Sequence, residues 1–157
     1  IVLGWGFVSV FCCGGIGIFW IVMKHADAGQ GAGPVTVAFG ADNAFRHDNL
    51  LHRNDPRNKF GKLHRVYMVQ MEANKSYEIT MSRRNNNNMD PFLYLIDPAG
   101  RIVAQDDDGA GALNSLIIYR PTVAGLYRIE ATSLVGRDTG SFTLSVLRRD
   151  APNPKGK

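Results

Sequence analysis

A two-residue alternation of apolar and polar side chains, returning again and again between turn signals, constrains this chain more than any other feature. Tyr77, Ile79 and Met81 alternate with Ser76, Glu78, Thr80 and Ser82, and Phe142, Leu144 and Val146 alternate with Ser141, Thr143 and Ser145. Tyr127, Ile129 and Ala131 likewise share one face, with Arg128 and Glu130 on the other. Successive side chains of a strand point to opposite faces, so each segment reads as a half-buried strand. Val66 to Met71 reads as a strand ended by a turn at Glu72-Ala73-Asn74-Lys75, and Ser115 to Arg120 as one closed by Pro121. Phe92 to Ile96 is apolar throughout, as for a strand covered on both faces, and Asp97-Pro98-Ala99-Gly100 suits a type I turn that returns the chain into Arg101 to Gln105. Seven or eight short strands, in round numbers, with no amphipathic helix between them predict an all-β antiparallel sandwich over residues 46–149. A parallel sheet would need crossover helices.

The N-terminal stretch obeys different physics. Residues 1–23 carry no charged side chain, and the run stops at Lys24. As a helix it would be about 34 Å long, enough for a bilayer core of about 30 Å. Trp5 and Trp20 fall near its two ends, where indoles sit well at headgroup level. Gly14, Gly15 and Gly17 would offer a flat face for packing against another helix. The run exceeds the apolar core of a signal peptide, and Lys24-His25-Ala26-Asp27-Ala28 is a poor cleavage site. We therefore expect one transmembrane helix over 1–23, a Gly/Ala-rich linker over 24–45, the sandwich, and a fraying Pro- and Lys-containing tail over 150–157. The chain would be a single-pass cell-membrane protein with the β-domain on the periplasmic or extracellular side. Its only cysteines, Cys12 and Cys13, are adjacent within the apolar run, so the exported part has no disulfide framework.

Charge narrows the partners. The formal charge of +4 in 157 residues is far from the concentrated basic face of a nucleic-acid binder, and no nucleic-acid partner is expected. The cations instead gather between residues 46 and 65, where Arg46, Arg53, Arg57, Lys59 and Lys62 read as a partner-facing loop. Anionic headgroups of the lipid bilayer could also attract them, although the segment lies well beyond the anchor and is diluted by Asp and Asn. The acidic loop Asp106-Asp107-Asp108, with Asp90 nearby in sequence, offers hard oxygen ligands for Ca²⁺ but lacks the EF-hand pattern. Consecutive Asp residues cannot all address one ion, and capping of turn N–H groups is the ordinary use of such residues. His25, His47, His52 and His64 lie at no zinc-binding spacing. No Gly-x-Ser-x-Gly elbow, phosphate-cradling Gly loop or opposed carboxylate pair occurs, so neither catalysis nor an organic cofactor is expected.

Five short motifs in order resemble one bacterial family. They are Asp90-Pro91-Phe92-Leu93-Tyr94-Leu95-Ile96-Asp97-Pro98-Ala99-Gly100, Ala104-Gln105-Asp106-Asp107-Asp108, Asn114-Ser115, Ala124-Gly125-Leu126-Tyr127-Arg128-Ile129 and Thr139-Gly140-Ser141-Phe142-Thr143-Leu144. Over roughly residues 63–148 this pattern resembles the pre-peptidase C-terminal (PPC-like) domain, in the form common in planctomycete-type bacteria. The resemblance implies a jelly-roll-like β-sandwich, exported and accessory to another protein, with links to secretion, to carbohydrate or protein contact, and in some members to calcium. No peptidase precedes the domain here, which points to a free-standing anchored copy. The expected function is a structural or accessory subunit of a larger envelope or membrane complex. A self-assembling filament or surface-layer subunit and a Ca²⁺-dependent carbohydrate- or protein-binding module are the alternatives. Trp5 stands where type IV pilins usually carry Glu, and Tyr67, Tyr94, Tyr119 and Tyr127 fall mostly on core-facing positions, which weakens both.

Overall fold

In the computed structural model, which describes residues 33–85 and 88–149, the alternating segments become nine strands. They are β1 (Val35–Thr36), β2 (Ala44–Leu51), β3 (His64–Met71), β4 (Ser76–Arg83), β5 (Pro91–Ile96), β6 (Ile102–Asp106), β7 (Ser115–Tyr119), β8 (Gly125–Ser133) and β9 (Gly140–Arg149). One sheet has the order β1-β3-β8-β5-β6 and the other β2-β9-β4-β7. Only the β5–β6 connection stays within a sheet; every other link passes to the opposite one. All pairings are antiparallel except β1 with β3, a two-residue parallel contact.

The inward residues of both sheets form one core. Tyr67, Val69 and Met71 of β3, Leu93 and Leu95 of β5, and Ile129 and Ala131 of β8 meet Tyr77, Ile79 and Met81 of β4 and Phe142, Leu144 and Val146 of β9. This is a β-sandwich. The sequence period predicted it because each inward side chain removes apolar surface from water at about 25 cal/mol per Å², while the same strand keeps its polar face wet.

One element departs from the sequence reading. The segment read as a basic loop begins with a full strand: β2 covers Arg46 to Leu51 and pairs with β9 along its whole length. Its inward positions are Phe45, His47, Asn49 and Leu51, so two are polar and hide the alternation. They are tolerated because the buried Tyr67 hydroxyl accepts from Asn49 Nδ2 at 2.9 Å and lies 3.2 Å from His47 Nδ1. Desolvation pushes the Tyr67 phenol up to about 12, only partly offset by the Asn49 hydrogen bond. Within the stretch bounded as linker, Val35 to Phe39 reads from sequence as a short strand or docking segment, and β1 forms there at Val35–Thr36.

No helix among the described residues is long and apolar enough to cross a membrane. The proposed span over 1–23, with Gly14, Gly15 and Gly17, lies outside the described residues, as do most of the linker and the tail at 150–157.

Candidate functional site: a cation–aromatic platform

β5 is apolar on both faces because both are covered. Its inward Leu93 and Leu95 join the core, while the outward Phe92, Tyr94 and Ile96 form a second buried cluster with Ile102. Segment 52–63, between β2 and β3, supplies the lid. The Phe60 ring lies on Tyr94 with centroids 5.1 Å apart and planes 23° from parallel. The Lys62 ammonium sits 4.3 Å from the Phe92 centroid and 5.7 Å from that of Tyr94. On the outside, Lys59 lies 5.1 Å from the Phe60 centroid. Phe60 remains half exposed, at 50%.

Hydrogen bonds hold this strap in place. Asn58 is its hub: Oδ1 accepts from the N–H of Phe60 and of Lys62, its carbonyl accepts from Gly61, and its own N–H donates to the Lys62 carbonyl. Gly61 takes φ +75°, a conformation that a side chain would strain. Asn58 Nδ2 donates to Glu130 Oε2 at 3.2 Å, and Arg128 pairs with Glu130 Oε1 at 3.2 Å. Toward β2, Asp55 is buried, pairs with Arg65 at 2.9 Å and accepts from the His52 N–H at 2.7 Å. Toward β3, His64 donates from both its backbone N–H and Nδ1 to the Pro56 carbonyl.

The structure brings together only part of the cation set named from sequence. Arg57, Lys59 and Lys62 share the strap, with Arg53 in its opening turn, whereas Arg46 points outward from β2 on the other sheet. Arg65, Arg84, Arg101, Arg128, Arg148 and Arg149 each hold a carboxylate. Arg57 instead donates to the Gly61 carbonyl, and Lys59 and Lys62 face rings. Desolvation lowers the Lys62 ammonium from the usual lysine range, with Asp107 pulling the other way. Burial, with Glu130 adding to it, raises the Tyr94 phenol.

Sequence reasoning missed Phe60, Tyr94 and Asn58. The signal was present in the unbroken apolar run of β5, which required a cover on its outward face. By sequence Tyr94 reads as core-facing; it is buried, but beneath the strap.

The acidic loop has a structural occupation. Asp106 Oδ2 accepts from Gly109 N–H at 2.8 Å and Leu116 N–H at 2.7 Å, pinning the loop to the start of β7. A Cβ on Gly109 would stand 2.7 Å from Asp106 Oδ1 and push on the carboxylate that holds the loop. Asp107 accepts from the Asp108 N–H. Asp90 Oδ1 is buried without a hydrogen-bond partner, and desolvation, then the charges of Asp108, Asp107 and Asp138, raise its carboxyl above the usual range. Among the described residues, no group of three or more His, Cys, Asp or Glu is placed to hold a metal ion. A shallow cleft of about 160 Å³ lies by Asp97, Arg101, Tyr119, Val123 and Tyr127, but its guanidinium already pairs with Asp97 at 2.7 Å.

No protein-family model matches the chain, and no curated protein does. Solved structures do. The periplasmic inhibitor of g-type lysozyme from Aeromonas hydrophila, PliG, superposes with a TM-score of 0.56 at 12% identity, over 74% of this chain and 96% of that one. The pre-peptidase C-terminal domain of a Bacillus anthracis collagenase superposes with a TM-score of 0.50, also at 12% identity, over 74% and 95%. At that identity the likeness concerns the fold alone: the chain has a PPC-like β-sandwich fold.

Proposed function

We propose that this protein is a non-catalytic, membrane-anchored module that works as an accessory subunit of a larger envelope or membrane assembly on the exported side. The uncharged run over 1–23 would fix it in the bilayer, and the sandwich would meet a partner protein through the strap. One observation carries the reading: an ordered surface strap whose cations hold no carboxylate among the described residues and whose aromatic ring stays half exposed. A strap that merely sealed the β5 face could do so with Phe60 fully covered and its charges compensated. Aromatic and cationic side chains on a rigid support are what protein interfaces enrich. One fold neighbour is an inhibitor of another protein, and the other a domain of a collagenase, so both settings suit a module that serves a second protein.

The test is extraction of the full chain from its native membrane in mild detergent, followed by identification of what co-purifies. Other membrane or envelope proteins in fixed stoichiometry are the expected result. A chain that emerges alone, or as an ordered homopolymer, would sink the accessory-subunit reading.

A further inference from the structure

Resting on that reading, we infer the chemistry of the partner: the Phe60–Tyr94 platform, flanked by Arg57, Lys59 and Lys62, takes an acidic polypeptide segment with an aromatic or aliphatic residue that packs on Phe60.

Charge complementarity argues for acidity. Four cations, Arg53, Arg57, Lys59 and Lys62, stand within one short segment, and its only acid, Asp55, is buried against Arg65. Asp107 attracts Lys62 electrostatically but forms no ion pair with it. The Lys62 ammonium is held at a desolvation cost over two rings, where a methionine would fill the same space without that cost. A charge retained against its solvation preference is commonly one with a use.

Shape argues for a polypeptide. Phe60 lies flat on Tyr94 rather than projecting, so it presents a surface to be covered. A bilayer is better entered by protruding side chains. A sugar needs free polar groups beside the ring to read its hydroxyls, and the nearest candidates are spent: Glu130 is held by Asn58 and Arg128, and both ends of the Asn58 amide are engaged. Cations with reach and one exposed ring remain, which fit carboxylates and one apolar anchor. The strap is already ordered by the Asn58 bonds, so little entropy is lost on docking.

The experiment uses the full chain in phosphatidylcholine nanodiscs, titrated with a labelled random copolymer of Glu and Tyr, and with poly-Glu of equal length. Vesicles of phosphatidylglycerol serve as competitor. The copolymer should bind roughly tenfold more tightly than poly-Glu, and Phe60→Ala should remove that preference. Lys59→Glu/Lys62→Glu should abolish binding of both, with far-UV circular dichroism unchanged, while Arg46→Glu on the other sheet should leave it intact. Lys59→Glu alone, at an exposed position, keeps the test decisive if the double variant unfolds: it should weaken binding several-fold. Unchanged affinity in a folded Lys59→Glu or double variant overturns the inference, and so does tighter binding to the vesicles than to the copolymer. A native complex that co-purifies equally with wild type and with Lys59→Glu/Lys62→Glu would overturn this assignment and leave the accessory-subunit reading standing.

Discussion

The two sheets share one core but differ on their outer faces. The outer face of β2-β9-β4-β7 is polar along its middle: Asp48, Thr143 and Ser82 lie in register across three strands, as do Arg46, Ser145 and Thr80. Asp48 accepts from Thr143 at 2.6 Å and pairs with Arg84 at 2.8 Å, and Glu78 pairs with Arg149 at 3.3 Å. The outer face of β1-β3-β8-β5-β6 instead carries a buried apolar row roofed by a strap whose cations hold no carboxylate among the described residues. The second cluster adds stability of its own, and the half-exposed ring and the cations of its roof are the features that stability alone does not explain. The first face teaches what this fold requires, and the second what has been added to it.

The largest expected effect tests whether the roofed row is a core at all. Tyr94→Ala should cost about 3 kcal/mol in chemical denaturation, since it removes a 5%-exposed ring together with the support of Phe60 and Lys62. Ile118→Ala, facing outward from β7 on the other sheet at 68% exposure, should stay within about 0.5 kcal/mol. Equal losses would erase the distinction between the faces. Next in size is Phe60→Ala, expected to cost about 1 kcal/mol, the scale of one aromatic pair. A loss as large as that of Tyr94→Ala would make Phe60 chiefly a structural lid and weaken its reading as a docking surface.

The same comparison explains what the sequence could reveal. β4, β8 and β9 were legible because each alternates apolar and polar residues over most of its length, and the continuous run of β5 correctly announced cover on both sides. What supplied the cover was not legible, because segment 52–63 has no period: Asn58, Gly61 and Phe60 act through one tight turn and one ring contact made across the fold. β2 was lost for a different reason. His47 and Asn49 occupy inward positions, and only the Tyr67 hydroxyl, on a strand of the other sheet, makes them acceptable there. Local pattern cannot report a partner 18 or 20 residues away. The cation set was found by composition, but its division between two sheets followed from β2 being a strand. For the acidic loop, the use of Asp106 in capping was the ordinary expectation for such a residue, and two N–H bonds meet it.

The smallest effects set one charge from each face against the other, and their signs should be opposite. Asp48 is held below the usual carboxylate range, first by the Thr143 hydroxyl and then by Arg84 and its other charged neighbours, against some desolvation. A depressed carboxyl contributes stability that is present above its unfolded value near 3.9 and is lost as pH falls through the folded value. Asp48→Asn should therefore lower the melting temperature modestly at pH 7, with the gap to wild type closing in acid. Lys62 is displaced in the direction that penalises its charged form. Its penalty is complete below the folded value and disappears as pH rises to the unfolded lysine value near 10.4. Lys62→Met should therefore hold or slightly raise the melting temperature at pH 7, with the advantage shrinking at alkaline pH. Thermal scans from pH 3 to about pH 10.5 decide both. If Lys62→Met were destabilising at pH 7, its ring contacts would outweigh its desolvation, and the cation would belong to the fold as Asp48 does. If the variant is as stable as wild type or more so, the charge is dispensable to folding, and the difference between the two faces is one of purpose.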